Sequence, residues 1–150
     1  TEMQSALGRW QLKKLDAWVA TRQRNARILE NAFARIACLR ITPVPADVNH
    51  SYYKYYVFVR PEKLKKSWTR DRIITEFSER GIPGLSGSCP EIYLEDAFTA
   101  AESATQFRLP VARELGETSI MFHVHPTLDT EHMEFVARMA KQVFIEAQSN

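Results

Sequence analysis

The chain has little cysteine, no long apolar run, no internal repeat and no low-complexity tract, and each absence excludes something. Its two cysteines, Cys38 and Cys89, are too few for a disulfide framework. Nothing in it approaches the roughly 20 consecutive apolar residues that a membrane-spanning helix needs. No secretory leader opens it, since Thr1-Glu2-Met3-Gln4 already reads as amphipathic helix, so the expected location is the cytoplasm. Ser86-Gly87-Ser88 lacks the lysine and following helix of a phosphate-binding P-loop, although its backbone N–H groups would suit an anion. No nucleic-acid recognition module is evident, so neither nucleic acid nor membrane is an expected partner.

What remains is the composition of one folded domain. With 45% hydrophobic and 25% charged residues, the chain is not of the disordered class. A chain of this size buries roughly 70% of the surface its unfolded form exposes, enough for a core. The net charge of +2 hides an asymmetry: residues 1–80 hold 16 basic and 8 acidic side chains, residues 81–150 hold 4 and 10. The excess in the first half is either a solvated surface or a basic wall facing an anionic small molecule.

Helical spacing of Met3, Leu7, Trp10, Leu15, Trp18, Leu29, Phe33 and Ile36 predicts one long helix, or two in series, over residues 2–37. Thr21 to Arg27 is polar almost all round, which predicts exposure or a crossing between two bodies. Pro43 and Pro45 force extended backbone. Ser51–Val59, with five aromatic residues in nine, predicts a strand covered on both faces. Thr69 is the expected cap of a helix with Ile73, Ile74 and Phe77 as its apolar stripe, stopping at Gly81. Ile82–Pro90, rich in glycine, proline and serine, reads as a loop. A short helical turn is expected within Ile92–Phe98, and a mobile polar loop over Thr99–Gln106. Pro110 suits the first turn of a helix that Gly116 would end. Thr118–Val124 predicts a second strand. A last helix follows, capped by Asp129 or Thr130, with Met133, Val136, Ala137, Ala140, Val143, Phe144 and Ala147 on one face. This order implies an α+β fold: a small, mainly antiparallel sheet with helices packed on one face, and a long N-terminal helix.

The chemistry-bearing residues make no catalytic set of their own. His123 and His125 share a strand face and His132 lies near, a spacing that either binds a metal or is structural. Cys89 in its loop is either a structural thiol or a nucleophile served by His50. Lys54, a charge within the aromatic strand, either snorkels to water or contacts an anion. Cys38, at the end of an apolar helix, reads as a buried free thiol.

Several segments together resemble one family. Thr1-Glu2-Met3-Gln4-Ser5-Ala6-Leu7-Gly8 with Gln11-Leu12-Lys13-Lys14-Leu15-Asp16 is similar to a signature of the DegT/DnrJ/StrS-type sugar aminotransferases. Ser51-Tyr52-Tyr53-Lys54-Tyr55-Tyr56 resembles that family's aromatic strand. Arg70-Asp71 through Glu79-Arg80-Gly81-Ile82 resembles its following helix. Leu109-Pro110-Val111-Ala112 and His125-Pro126-x-Leu128 resemble its closing motifs. The segments occur in the family's order and span nearly the whole chain.

The resemblance implies a C-terminal small domain whose large domain is absent. Residues 1–37 would be the interdomain helical region and 38–150 the α+β body. It implies a homodimeric transaminase that uses pyridoxal 5'-phosphate to carry an amino group from glutamate to a keto sugar nucleotide. The products would serve polysaccharide, lipopolysaccharide or antibiotic sugars. The Schiff-base lysine belongs to the large domain, so this chain alone is expected to bind no cofactor, to contain no catalytic residue and to be inactive. Tyr53, Lys54, Cys89, Glu91 and Tyr93 are the implied substrate-binding residues. Within Ser88-Cys89-Pro90-Glu91-Ile92-Tyr93, Cys89 replaces the family's usual tyrosine and Tyr93 its usual histidine, a departure that points to a different sugar. The alternative is a stand-alone, non-catalytic binding or interaction module derived from such a domain.

Overall fold

The computed structural model describes residues 1–87, 89–99 and 108–149. The expected loop over Thr99–Gln106 therefore lies, past Thr99, outside the described residues. Thr1 and Gln4 close a capping box at the start of α1 (Glu2–Leu12), and α2 follows at Leu15–Phe33. The expected long helix is thus two in series. The break carries an i to i−3 bond, Lys14 N to Gln11 O at 3.0 Å. α1 buries none of its residues. Met3, Leu7, Trp10, Leu12 and Leu15 stay exposed, Met3 at 76% and Trp10 at 64%.

Strands β1 (Leu39–Ile41) and β2 (Tyr55–Val59) pair antiparallel, and α3 (Arg70–Glu79) follows, capped by Thr69. Next come β3 (Gly84–Leu85), a 3-10 turn at Ile92–Leu94, α4 (Asp96–Thr99), α5 (Pro110–Thr118), β4 (Ser119–Phe122) and α6 (Thr130–Ala147), the last capped by Asp129. The sheet order is β1-β2-β4-β3, antiparallel throughout, with Val57 opposite Ile120 and Tyr56 opposite Met121. Among the described residues, no helix is long and apolar enough to cross a membrane.

Side chains alternate along β2, so Tyr55, Val57 and Val59 enter the core while Tyr56 and Phe58 face away half-buried. The core face is covered by α2, α3 and α6, whose residues form one cluster with β2 and β4. At its centre Phe122 lies 5.4 Å from Phe33 and 5.6 Å from Phe77, ring centre to ring centre. Phe144 meets both Phe33 and Phe77 edge-on at 5.3 Å. All seven apolar positions expected on α6 are buried.

Several expectations are corrected. The strand does not extend over 51–54. Tyr52 has φ 47°, a left-handed backbone that stops a ladder, and its N–H donates to His50 Nδ1 at 3.0 Å. Tyr53 and Lys54 therefore precede the strand, and only one of its faces enters the core. β4 stops at Phe122, so His123 and His125 lie beyond it, both exposed, with His125 Nδ1 2.9 Å from Thr127 Oγ1. Among the described residues no three His, Cys, Asp or Glu side chains converge as metal ligands. α5 runs through Gly116 to Thr118. Gly116 sits where a Cβ would come within 2.3 Å of Pro90 Cγ, so it permits close packing instead of ending the helix.

Thr21 to Arg27 is not uniformly exposed either. Asn25 is fully buried, and its amide donates to the carbonyls of Leu128 (3.1 Å), His125 (3.3 Å) and Val124 (3.5 Å). Its Oδ1 accepts from Arg24 Nε at 3.2 Å. A polar residue on a helix thus ties α2 to the segment after β4. Substituting Asn25→Leu leaves those carbonyls short of a donor and is expected to cost about 2–3 kcal/mol, read as a lowered urea midpoint at unchanged slope.

Candidate functional site

The second face of the sheet carries Tyr56 and Phe58, and residues 86–87 and 89–93 run beside it. Ser119 Oγ donates to Ser86 O at 2.8 Å, and Arg70 Nη1 donates to Ser119 O at 3.0 Å. Gly87 adopts φ +90°, and a Cβ there would lie 3.0 Å from the Tyr56 ring. Glycine is therefore required where this backbone crosses the aromatic side chain. Pro90 then rests on Gly116 of α5. A cavity of about 280 Å³ is left between Tyr56, Phe58, Cys89, Pro90, Leu115 and Ser119.

Cys89 is exposed, and its thiol donates to Glu95 Oε1 at 2.9 Å. That hydrogen bond, together with the burial cost of the thiolate, pushes the Cys89 thiol above its ordinary range. This is the reverse of what activates a cysteine. His50, the candidate base for it, packs against Tyr52 with the rings tilted and their centres 4.3 Å apart. Cys38 is buried, and burial pushes its thiol up to about 11.

Glu91 is 9% exposed and enters a closed set of polar contacts. Arg108 donates through Nε to Oε1 at 2.9 Å and through Nη2 to Oε2. The Tyr93 hydroxyl donates to Oε1 at 2.6 Å and accepts from Leu109 N at 2.8 Å. Hydrogen bonds first from Arg108 and then from Tyr93 lower the Glu91 carboxyl to about 2. Burial first, then the bond to Glu91, holds the Tyr93 phenol above its ordinary range. The sequence points to Glu91 and Tyr93, and the structure adds Arg108. The signal available was its place immediately before the Leu109-Pro110 motif.

Tyr53 and Lys54 form a separate group. Tyr53 is 75% exposed, its ring centre 5.7 Å from the Arg22 guanidinium carbon and 5.6 Å from Lys54 Nζ. Lys54 borders a cavity of about 220 Å³ with Thr42, Pro43, His50, Tyr52 and Tyr56 among its walls. Tyr56 lines this cavity as well as the one at Cys89, so it is where the two groups of candidates adjoin.

The lowered Glu91 pKa has a defined pH consequence. The carboxyl titrates near 2 in the fold against an ordinary 4.5, so its contribution is complete above about pH 4.5 and is lost as pH falls toward 2. The Leu109 amide resonance is expected to shift with a midpoint near pH 2, and Glu91→Gln is expected to remove the shift.

Residues 1–141 match the DegT/DnrJ/EryC1/StrS aminotransferase family. The dTDP-4-dehydro-2,3,6-trideoxy-D-glucose 4-aminotransferase of Saccharopolyspora spinosa is 26% identical over 137 residues, 91% of this chain and 32% of that protein. The aminotransferase of Psychrobacter cryohalolentis superposes with a TM-score of 0.91 at 42% identity, covering 97% of this chain and 39% of that one. DesV of S. venezuelae, solved with a ketimine intermediate, has the same fold, with a TM-score of 0.81 at 20% identity over 95% of this chain and 36% of its own. The chain thus spans 32 to 39% of the length of these proteins. With nearly its whole length matched, it belongs to the DegT/DnrJ/EryC1/StrS aminotransferase family.

Proposed function

We propose that the chain is the C-terminal small domain of a pyridoxal-phosphate-dependent sugar aminotransferase. Residues 1–37 are its helical link to a preceding large domain and residues 38–150 its body. The whole protein in this reading is a cytoplasmic homodimer. It transfers an amino group from glutamate to a keto sugar nucleotide for polysaccharide, lipopolysaccharide or antibiotic sugars. The observation that carries the reading is the extent of the likeness: 97% of this chain lies on 39% of the Psychrobacter aminotransferase. The substrate of the Saccharopolyspora relative, a keto sugar carried on dTDP, supports the substrate class.

Pyridoxal phosphate supplies an electron sink and requires a lysine for its aldehyde and an Asp or Arg partner for its ring nitrogen. The two cavities described above, at Lys54 and at Cys89, do not meet that demand among their described lining residues. The one beside Lys54 has neither acid nor arginine in its lining, and the one beside Cys89 has no lysine. The reading therefore leaves the cofactor to the large domain. What this chain supplies is a wall. Tyr56 and Phe58 offer apolar surface to a sugar face, and Lys54 suits the charge of a diphosphate. Cys89 and Tyr93 stand at the rim of the loop.

The purified chain is expected to show no transamination and no absorbance from a lysine-bound cofactor when pyridoxal phosphate is added. Turnover by the chain alone would overturn the reading in favour of a self-contained enzyme. The exposed row Met3, Leu7 and Trp10 is the surface assigned to the large domain. In its absence the chain is expected to self-associate with concentration in sedimentation velocity. Changing Leu7 and Trp10 to serine is expected to return it to monomer.

A further inference from the structure

We propose that Arg108 is the positioning residue of the Cys89–Tyr93 loop, and that Glu91 acts by receiving it and not by touching the sugar. The inference rests on the small-domain reading above and concerns the same site. Its basis is that three of the roughly four acceptor positions of the Glu91 carboxylate are already taken. The guanidinium forks over both carboxylate oxygens and the Tyr93 hydroxyl adds a bond to Oε1. A carboxylate so engaged and 9% exposed has little left for a ligand. Tyr93 has spent its proton on Glu91 and one lone pair on Leu109 N–H, so a sugar would find an acceptor there and not a donor.

The contacts join residues 91–93 to residues 108–109 across 16 or 17 positions of sequence, where α5 begins. Two further contacts point the same way. Glu117 on α5 lies 4.0 Å from Arg108 Nη2 and is itself held by Arg113 Nε at 2.7 Å. Pro90, next to Glu91, is seated on Gly116. The loop is therefore fastened to α5 by a charged fork on one side and an apolar contact on the other. Between these fastenings and the Arg70–Ser119–Ser86 bonds, Cys89 is presented to the cavity over Tyr56 and Phe58. Arginine is needed because a lysine would meet the carboxylate as a single point and would not set its plane.

The test has two arms. In the chain itself, amide hydrogen exchange is measured at residues 91–94 and at Leu109 for the wild type, Arg108→Gln, Arg108→Lys and Glu91→Gln. Exchange there is expected to rise roughly tenfold or more in Arg108→Gln and Glu91→Gln and less in Arg108→Lys, with the core amides of α6 unchanged. The Arg108/Glu91 double variant is expected to add nothing to either single one. In the full-length aminotransferase, the same variants are expected to raise KM for the keto sugar nucleotide roughly tenfold. KM for glutamate and kcat are expected to stay within about threefold. Unchanged exchange in Arg108→Gln would overturn the proposal while leaving the small-domain reading intact. A raised sugar KM in Glu91→Gln with loop protection preserved would overturn it too, since Glu91 would then be a direct contact. Absence of any sugar transamination in the full-length protein would defeat the reading, and the exchange arm would still decide whether Arg108 holds the loop.

Discussion

Four phenylalanines from four elements meet at one point, and the rest of the molecule takes its place from that meeting. Phe33, Phe77 and Phe144 bring α2, α3 and α6 onto the same side of β4, where Phe122 receives two of them. Burial of such rings is among the largest contributions a small core can draw on. Once β4 is committed to this face, strand alternation turns Ser119 and Met121 to the other. There Ser119 takes hold of Ser86, and the loop that leads to Cys89 and Glu91 is laid beside Tyr56. The candidate site is thus a consequence of which face of one short strand the aromatic core claims.

Charge is used differently on the two sides. The basic excess of residues 1–80 is partly answered by acids from the second half. Arg80, for example, pairs with Glu146 at 2.6 Å and with Glu76 at 3.1 Å. Pairs of this kind in contact with solvent add little to stability and mostly fix geometry. Arg70 spends its guanidinium partly on backbone carbonyls, and Arg108 on the one nearly buried carboxylate among the described residues. Both therefore act on the shape of the loop. Lys54, which with Arg22 lies beside the Tyr53 ring, lines a cavity whose described lining holds no acid.

Local order was readable where one rule decided the outcome. The Thr69 and Asp129 caps, the buried stripe of α6 and Pro110 at a helix start follow from side-chain chemistry within a few residues. Structure and expectation part where a particular contact overrules a general preference. Tyr52 and Tyr53 have strand propensity, yet the His50 contact and a left-handed backbone at Tyr52 keep them out of the ladder. Gly116 has the chemistry of a helix stop, yet it serves Pro90, more than 20 residues earlier in the chain. Asn25 reads as one more polar residue on an exposed stretch until the carbonyls after β4 are brought to it.

The linear order of residues was by itself sufficient for the class of fold, for α3 and α6 with their caps and buried stripes, and for the family to which the chain belongs. Periodicity and capping act over one or two turns, and motifs survive without coordinates. The partnership of Glu91 with Arg108, the separation of Tyr53 and Lys54 from that pair, and the exposed position of His123 and His125 needed the folded chain. A carboxylate's role depends on which cation arrives at it. That arrival is set by how β4 and α5 pack, and no rule of spacing encodes it.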